Sequence, residues 1–181
     1  MNIESYHEYA RLLTNGNYQI LRAGIKDGDI LYYAGSLVER GKRKFFGAVI
    51  EGATAEEAYH VGVAKWQGRR LAIFEARVVG GVSPRPLSLR LPCYHVPACI
   101  EWDEAMNNRA WDLVGRRYSF LDVLRTWLRI KPKARGLHCS EYTDHILQIG
   151  GNPTPGACVR FAIARRRRNG CQNHEGGADA R

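Results

Sequence analysis

Two neighbouring stretches of the chain place a histidine and a glutamate where they could act together. Residues 59–64 and 71–76 are rich in β-branched, aromatic and apolar residues and are separated by a short polar segment. This pattern predicts a β-hairpin with a two-residue turn at residues 67–68. In that register His60 lies directly opposite Glu75, with Cβ atoms roughly 4.5–5.5 Å apart. A carboxylate so placed fixes the tautomer of the imidazole and stabilises its protonated form.

A cysteine at the predicted start of a helix supplies a nucleophile. Cys139 precedes an apolar spacing that predicts a helix from about residue 139 to residue 149, ending at Gly150-Gly151. The positive end of a helix dipole stabilises a thiolate and lowers the pKa of the cysteine. A helix-start cysteine and a histidine held by an acid together form the arrangement that thiol-mediated acyl transfer requires.

Each of these residues also has a structural interpretation. Glu75 could mark the solvated end of a strand, with His60 at the rim of the sheet. Cys139 could be a small apolar residue packed under a helix. The hairpin pattern by itself leaves both interpretations open.

The chain resembles the circularly permuted branch of the NlpC/P60 papain-like superfamily, the YiiX/YaeF-type amidases. The resemblance covers about residues 25–150, and the histidine precedes the cysteine, as the permuted order requires. The matching pieces, in chain order, are Gly28-Asp29-Ile30-Leu31, Tyr59-His60-Val61-Gly62-Val63, Ile73-Phe74-Glu75-Ala76 leading to Gly80-Gly81-Val82, Gly115-Arg116-Arg117-Tyr118-Ser119-Phe120 and His138-Cys139-Ser140-Glu141-Tyr142.

The resemblance implies a role for each matching residue. Cys139 corresponds to the nucleophile, His60 to the general base that later protonates the leaving group, and Glu75 to the residue that orients the histidine. Tyr118 corresponds to a tyrosine near the oxyanion, beside the backbone N–H of Cys139. The spacing of 21 residues from Tyr118 to Cys139, which includes a basic loop, departs from the family pattern.

The resemblance also implies a reaction and a substrate class. Attack by the thiol on an amide carbonyl gives an acyl-enzyme, and the expected substrates are peptide amide bonds of cell-wall (peptidoglycan) origin. Two alternatives remain, which are a lipid acyl hydrolase or acyltransferase on the same fold and a basic binding protein that keeps the fold without turnover. No cofactor and no metal ion are expected.

The elements around these residues indicate an α+β class, a papain-like antiparallel sheet or half-barrel packed with helices. We expect a single domain over residues 1–164 and a disordered Arg-rich tail over residues 165–181. The predicted elements are an opening helix ending at Asn15-Gly16, a strand at residues 30–33, helices at residues 104–114, 119–128 and 139–149, and a last strand at residues 157–163.

Composition narrows the remaining possibilities. The 181 residues contain no apolar run near the length needed to span a bilayer. The first residues carry Glu4 and Glu8 and do not resemble a signal peptide, so we expect a cytoplasmic protein that reaches a cell wall, if at all, by another route. The five cysteines are then expected to be free thiols. The oligomeric state is left open.

The net charge of +9 first suggests nucleic acid as a partner. Three of those positive charges fall on the predicted tail, the others are scattered, and no nucleic-acid motif accompanies them. Specific nucleic-acid binding is therefore disfavoured, and any such binding is expected to be non-specific.

One further group of residues has the chemistry of a zinc site. Cys93, His95 and Cys99 are three residues with metal-ligating side chains within seven positions. Structural zinc sites, however, usually show two close pairs of ligands. We therefore do not predict zinc binding here.

Overall fold

The computed structural model describes residues 6–34, 58–118 and 137–170. The strands are β1 (Arg11–Leu13), β2 (Ile30–Ala34), β3 (Ala58–Gln67), β4 (Arg70–Arg77), β5 (Gly81–Pro86) and β6 (Cys93–Val96). The α-helices are α1 (Tyr6–Tyr9), α2 (Tyr18–Leu21), α3 (Glu104–Asp112), α4 (Cys139–Leu147) and α5 (Pro155–Asn169), with short 3₁₀ turns at Arg22–Gly24 and Leu87–Leu89.

The strands form one antiparallel sheet in the order β1-β6-β2-β3-β4-β5 within the described residues. Each face of this sheet carries a hydrophobic core. One face packs against α4 and α5 through residues such as Tyr142, Ile146 and Val159. The other face is covered by the α2 segment and by Leu87 of the second 3₁₀ turn. The predicted α+β class, with helices packed on an antiparallel sheet, is confirmed.

Local signals place several elements correctly. Asp103 caps α3, because its side chain accepts a hydrogen bond from the Met106 N–H at 2.6 Å. The predicted strand at residues 30–33 is β2, and the predicted helix at residues 139–149 is α4, which begins at Cys139 and ends at Leu147. The predicted helix at residues 119–128 lies outside the described residues.

Two predicted elements near the chain ends are wrong. The opening helix ends at Tyr9 instead of reaching Asn15-Gly16, and Arg11–Leu13 pairs with β6 as an edge strand. Residues 157–163 lie in helix α5, whose start is set by the side-chain cap of Thr154 and by Pro155 in the first turn. The alternating apolar residues that suggest a strand there instead pack against the sheet from a helix.

Helix α5 also changes the interpretation of the Arg-rich tail. Residues 165–169 were expected to be disordered, but they form the last part of α5. Arg166 donates a hydrogen bond to the Tyr9 backbone carbonyl at 3.0 Å, and Arg167 donates one to the Tyr9 hydroxyl at 2.9 Å. These arginines therefore help to hold the α1 segment against α5. Residues 171–181 lie outside the described part of the chain.

Two smaller findings concern the thiols and the membrane. Cys99 is disulfide-bonded, so the expectation of free thiols is wrong for that residue, whereas Cys93, Cys139 and Cys158 are free. Among the described residues, no helix has the length and apolar character needed to cross a bilayer.

The turn between β4 and β5 positions the segment that carries Tyr118. Gly81 has a φ of +61°, and a Cβ added to it would lie 2.3 Å from the carbonyl oxygen of Arg116. The segment at residues 115–118 runs along β5, where the Val82 N–H donates to that same carbonyl at 2.9 Å. Glycine is therefore required at position 81 both for the backbone conformation and for the close approach of this segment.

We expect Gly81→Ala to destabilise the protein more than Gly68→Ala. Gly68 has a similar φ of +60° but nothing within 4 Å of its added Cβ, so that variant should lose only about 1 kcal/mol for the left-handed backbone. At position 81 the displacement of the Arg116 carbonyl adds to this loss. Chemical denaturation of the two variants measures the difference, and equal stabilities would show that the close approach is unimportant.

Candidate active site

The β3–β4 hairpin brings His60 and Glu75 together, though in a register that differs from the predicted one. The observed pairs run from Gln67↔Arg70 to Val63↔Phe74, so the two-residue turn is Gly68-Arg69. Moving a two-residue turn by one position shifts every cross-strand partner by two residues, which keeps each side chain on its face. The predicted direct pair is therefore wrong, but the predicted shared face is correct.

The observed register makes His60 and Glu75 diagonal neighbours. If the register is extended by one pair beyond Val63↔Phe74, Gly62 lies opposite Glu75. Because glycine has no side chain, nothing separates the imidazole of His60 from the carboxylate. His60 Nε2 lies 2.7 Å from Glu75 Oε2. A Cβ on Gly62 would come within 2.8 Å of the Phe74 carbonyl oxygen, which explains why this position is a glycine.

Glu75 is fully buried, which excludes the interpretation that it marks a solvated strand end. Two arginines that sequence reasoning missed lie against it. Arg90 Nη2 donates to Glu75 Oε2 at 3.0 Å, and Arg90 Nε lies 2.8 Å from Glu75 Oε1. Arg85 Nε lies 3.4 Å from the same Oε1. Burial opposes ionisation of Glu75, but His60 and Arg90 outweigh it and lower the pKa of this carboxyl group.

Arg90 is itself held in place by Tyr33 of β2. The Tyr33 hydroxyl donates to the Arg90 backbone carbonyl at 3.0 Å, and the guanidinium lies 5.0 Å from the Tyr33 ring centroid. Arg90 ends the 3₁₀ turn at Leu87–Leu89, so this turn carries the arginine back toward β4. Nothing in the local pattern around residue 90 indicates this long-range partner.

Cys139 is the first residue of α4, as predicted. His138 caps the helix: its Nδ1 accepts from the Glu141 N–H at 3.3 Å, and the Glu141 carboxylate accepts from the His138 N–H at 3.1 Å. This capping box fixes the orientation of the first turn. The Cys139 N–H has no acceptor among the described residues and is one of the free donors that a helix start provides.

The thiol of Cys139 meets the imidazole of His60 at the start of α4. His60 is close enough to the thiol for its charge and hydrogen bonding to lower the pKa of Cys139, and the Val61 N–H of β3 acts in the same direction. Because His60 Nε2 faces Glu75, its Nδ1 is the ring nitrogen left for the thiol. Cys139, His60 and Glu75 are therefore neighbours in the order thiol, imidazole, carboxylate.

The electrostatics of these three residues favour an ion pair. Burial raises the pKa of the Cys139 thiol, but the charge and hydrogen bond of His60, with His138 and the Val61 N–H, outweigh burial and lower it. Burial likewise disfavours protonated His60, but Cys139 and Glu75 raise the pKa of His60 to about 9. Both shifts favour the thiolate and imidazolium form of the pair over the neutral form.

Tyr118 also lies at this site. A parallel bridge pairs it with Leu137, two residues before Cys139. Burial, the Cys139 charge and the Glu141 charge raise the pKa of Tyr118, so its phenol stays protonated and can donate a hydrogen bond. The structure therefore brings together the four residues predicted for the site, which are Cys139, His60, Glu75 and Tyr118.

The residues considered for zinc serve other roles. His95 Nε2 lies 2.8 Å from Asp29 Oδ2, and both residues are buried. Asp29 also accepts from the Ala98 N–H at 3.0 Å, so the pair ties β6 to the start of β2. Within residues 6–34, 58–118 and 137–170, no group of three or more His, Cys, Asp or Glu side chains is arranged to hold a metal ion.

Comparison with known proteins finds a likeness among solved structures. No family model and no curated protein sequence matches the chain. Among solved structures, the chain is similar to the metalloprotein yiiX from Escherichia coli O157:H7, with 20% sequence identity and a TM-score of 0.49. The match covers 68% of this chain and 64% of that protein, so the chain spans less than two thirds of its length.

Proposed function

We propose that this protein is a thiol-dependent hydrolase, an amidase or peptidase of the permuted NlpC/P60 type, that forms an acyl-enzyme on Cys139. The observation that carries the proposal is the position of the Cys139 thiol, at a helix start beside His60, whose Nε2 lies 2.7 Å from the buried Glu75. A packed structural cysteine needs neither a charged imidazole nor a helix start beside it.

The acylation step follows from the positions of these groups. The Cys139 thiolate attacks the carbonyl carbon of the substrate, and the electrons of the C=O bond move to its oxygen. The Cys139 N–H and the Tyr118 hydroxyl are the donors for this oxyanion. Collapse of the intermediate breaks the C–N bond, and the leaving amine takes its proton from the His60 imidazolium.

Deacylation reverses the role of the histidine. Neutral His60 removes a proton from a water molecule as the water oxygen attacks the thioester carbonyl. The carboxylic acid leaves, the thiolate is expelled, and the proton on His60 restores the ion pair. Glu75 stays ionised throughout and holds the imidazole in the required orientation.

Trapping of the acyl-enzyme tests this proposal. The protein is incubated separately with cell-wall peptides and with acyl lipids, quenched in acid and analysed by intact-mass and peptide-mapping mass spectrometry. The acid quench preserves a thioester. We expect cell-wall peptides to leave an acyl group on the peptide that contains Cys139. In the Cys139→Ser variant we expect no acyl group at that position. An adduct from acyl lipids alone would replace the peptide substrate class by the lipid one, and no adduct from either would contradict the enzyme proposal.

The acylation rate should depend on pH with a fall on the alkaline side near pH 9. Leaving-group protonation requires the imidazolium, and the pKa of His60 is raised from 6.5 to about 9, so the acid is present well above neutral pH. On the acidic side, protonation of the thiolate should slow acylation. This should happen only at pH values below the ordinary thiol pKa of 9.0, because the pKa of Cys139 is lowered. Adduct formation measured from pH 5 to 10 checks both limbs.

A further inference from the structure

Three arginines lie on or near the carboxylate of Glu75. Arg85 and Arg90 contact it directly, as described above. Arg77 follows Glu75 by two residues on β4 and therefore lies on the same face of the sheet. Among the described residues, these three arginines and Glu75 together carry a net charge of +2. The Cys139–His60 pair adds no net charge, so it does not balance the two excess positive charges.

Arg77 differs from the other two arginines in its contacts. Arg85 donates to Ser83 Oγ at 2.7 Å and to the Val79 carbonyl, and Arg90 is bonded to Glu75. Arg77 is half-buried, and its side chain makes no hydrogen bond or ion pair with the described residues. Burial and the neighbouring Arg90 lower the pKa of Arg77, which reflects how unfavourable its position is without an anion.

The position of the cluster relative to His60 indicates which part of a substrate would reach it. Arg85 and Arg90 lie with Glu75 on the Nε2 side of the imidazole, whereas Nδ1 is left for the thiol, and Arg77 is on the same face of β4 as Glu75. In the proposed reaction His60 hands its proton to the leaving group, so a substrate portion that extends past His60 belongs to the leaving-group half. Directly opposite Arg77 stands Gly81, which has no side chain to cover the guanidinium.

We propose that Arg77, supported by Arg85 and Arg90, forms a subsite for an anionic group, a carboxylate or a phosphate, on the leaving-group half of the substrate. This proposal rests on the proposed function in assigning the half of the substrate, but the anion site itself depends only on the charge cluster. Arginine suits the role because its planar fork binds carboxylate and phosphate oxygens in pairs.

Matched alkylating probes test the subsite without a known substrate. Iodoacetyl-β-alanine and iodoacetyl-β-alanine amide have the same reactive carbon and nearly the same length, and only the first ends in a carboxylate. At constant ionic strength we expect the carboxylate probe to alkylate Cys139 about tenfold faster than the amide, as an ion pair reinforced by hydrogen bonds allows. Arg77→Gln should abolish this preference, Arg77→Lys should retain part of it, and inorganic phosphate should reduce it in the unaltered protein.

Arg69→Gln is the matched control, because Arg69 is an exposed arginine in the turn at the other end of the same hairpin. A preference that survives Arg77→Gln, or that Arg69→Gln removes equally, would overturn the proposal in favour of general surface charge. Arg77→Gln should also leave the melting temperature unchanged or higher, because the arginine side chain has no hydrogen-bond or ion-pair partner among residues 6–34, 58–118 and 137–170. A lower melting temperature would instead assign Arg77 a structural role.

The same experiment separates this proposal from the proposed function. If the neutral probe modifies Cys139 no faster than the buried Cys93, the activated-thiol proposal fails whatever the charge preference is. If Cys139 reacts rapidly and both probes react equally, the anion subsite fails and the hydrolase proposal stands.

Discussion

Iodoacetamide at pH 7 is expected to alkylate Cys139 at least about 50-fold faster than Cys93. Both thiols are buried, but burial raises the pKa of Cys93 to about 12, whereas the pKa of Cys139 is lowered from 9.0 by His60. The thiolate fractions then differ by at least about a thousandfold, of which the weaker nucleophilicity of a low-pKa thiolate removes about 20-fold. Peptide mapping of the two cysteines over time measures the ratio.

His60→Gln isolates the contribution of the ion pair, since it leaves the burial of Cys139 nearly unchanged. Without the imidazolium, burial dominates and the pKa of Cys139 should rise above its ordinary value, so its alkylation should slow toward that of Cys93. His95→Gln is the control, because His95 is also a buried histidine paired with a carboxylate but does not contact the thiol. Rapid alkylation of Cys139 in the His60 variant would show that the helix start alone activates the thiol. In urea, Cys139 and Cys93 should react alike.

Glu75→Gln is expected to destabilise the fold by about 3–5 kcal/mol, the range for removing one partner of a buried ion pair. The carboxylate is fully buried between His60, Arg85 and Arg90, so its loss leaves buried cations without a counter-charge. The same change should slow alkylation of Cys139, because His60 loses one of the two groups that raise its pKa. Chemical denaturation and the alkylation rate are measured on the same preparations.

The stability difference between this variant and the unaltered protein should depend on pH. The pKa of Glu75 is lowered from 4.5 in the folded protein, so its stabilising contribution is complete above 4.5 and is lost as the pH falls through the lower folded value. The two proteins should therefore converge in stability in strong acid. A constant difference across this range would mean that the loss comes from packing rather than from charge.

Asp29→Asn is the matched control for Glu75→Gln. Asp29 is also a buried carboxylate that lies 2.8 Å from a histidine, His95, and its loss should also destabilise the fold. It should leave the pH profile and the rate of Cys139 alkylation unchanged. If Asp29→Asn slows alkylation as much as Glu75→Gln does, the effect of Glu75 is a general consequence of lower stability.

The local sequence pattern predicted those features of the site that depend on residues close together in the chain. A glycine at position 68 favours Gly68-Arg69, a turn in which only the first residue needs a positive φ, and the observed φ of Gly68 is +60°. The turn at residues 67–68 would have required a positive φ for Gln67 as well. The sequence therefore held the signal for the correct register, although either turn leaves His60 and Glu75 on one face.

The helices α4 and α5 show when the local sequence pattern is sufficient to predict secondary structure and when it is not. The start of α4 follows from its own residues, since His138 and Glu141 form the cap that places Cys139 first. Residues 157–163 carry an apolar pattern compatible with a strand or a buried helix, and packing against the sheet beside α4 selected the helix. The Thr154-Pro155 start was the local signal for that outcome.

The sequence by itself determined the cysteine at a helix start, the shared face of the histidine and the glutamate, and the α+β class. These properties depend on turn geometry, strand alternation and capping, which act over a few residues. Only the tertiary structure decided that Glu75 is fully buried, that Arg85 and Arg90 hold it, and that the Arg77 side chain has no ion-pair partner in the described part of the chain. Those contacts join strands and turns through the sheet, and their energies depend on burial and on charges that no single segment contains.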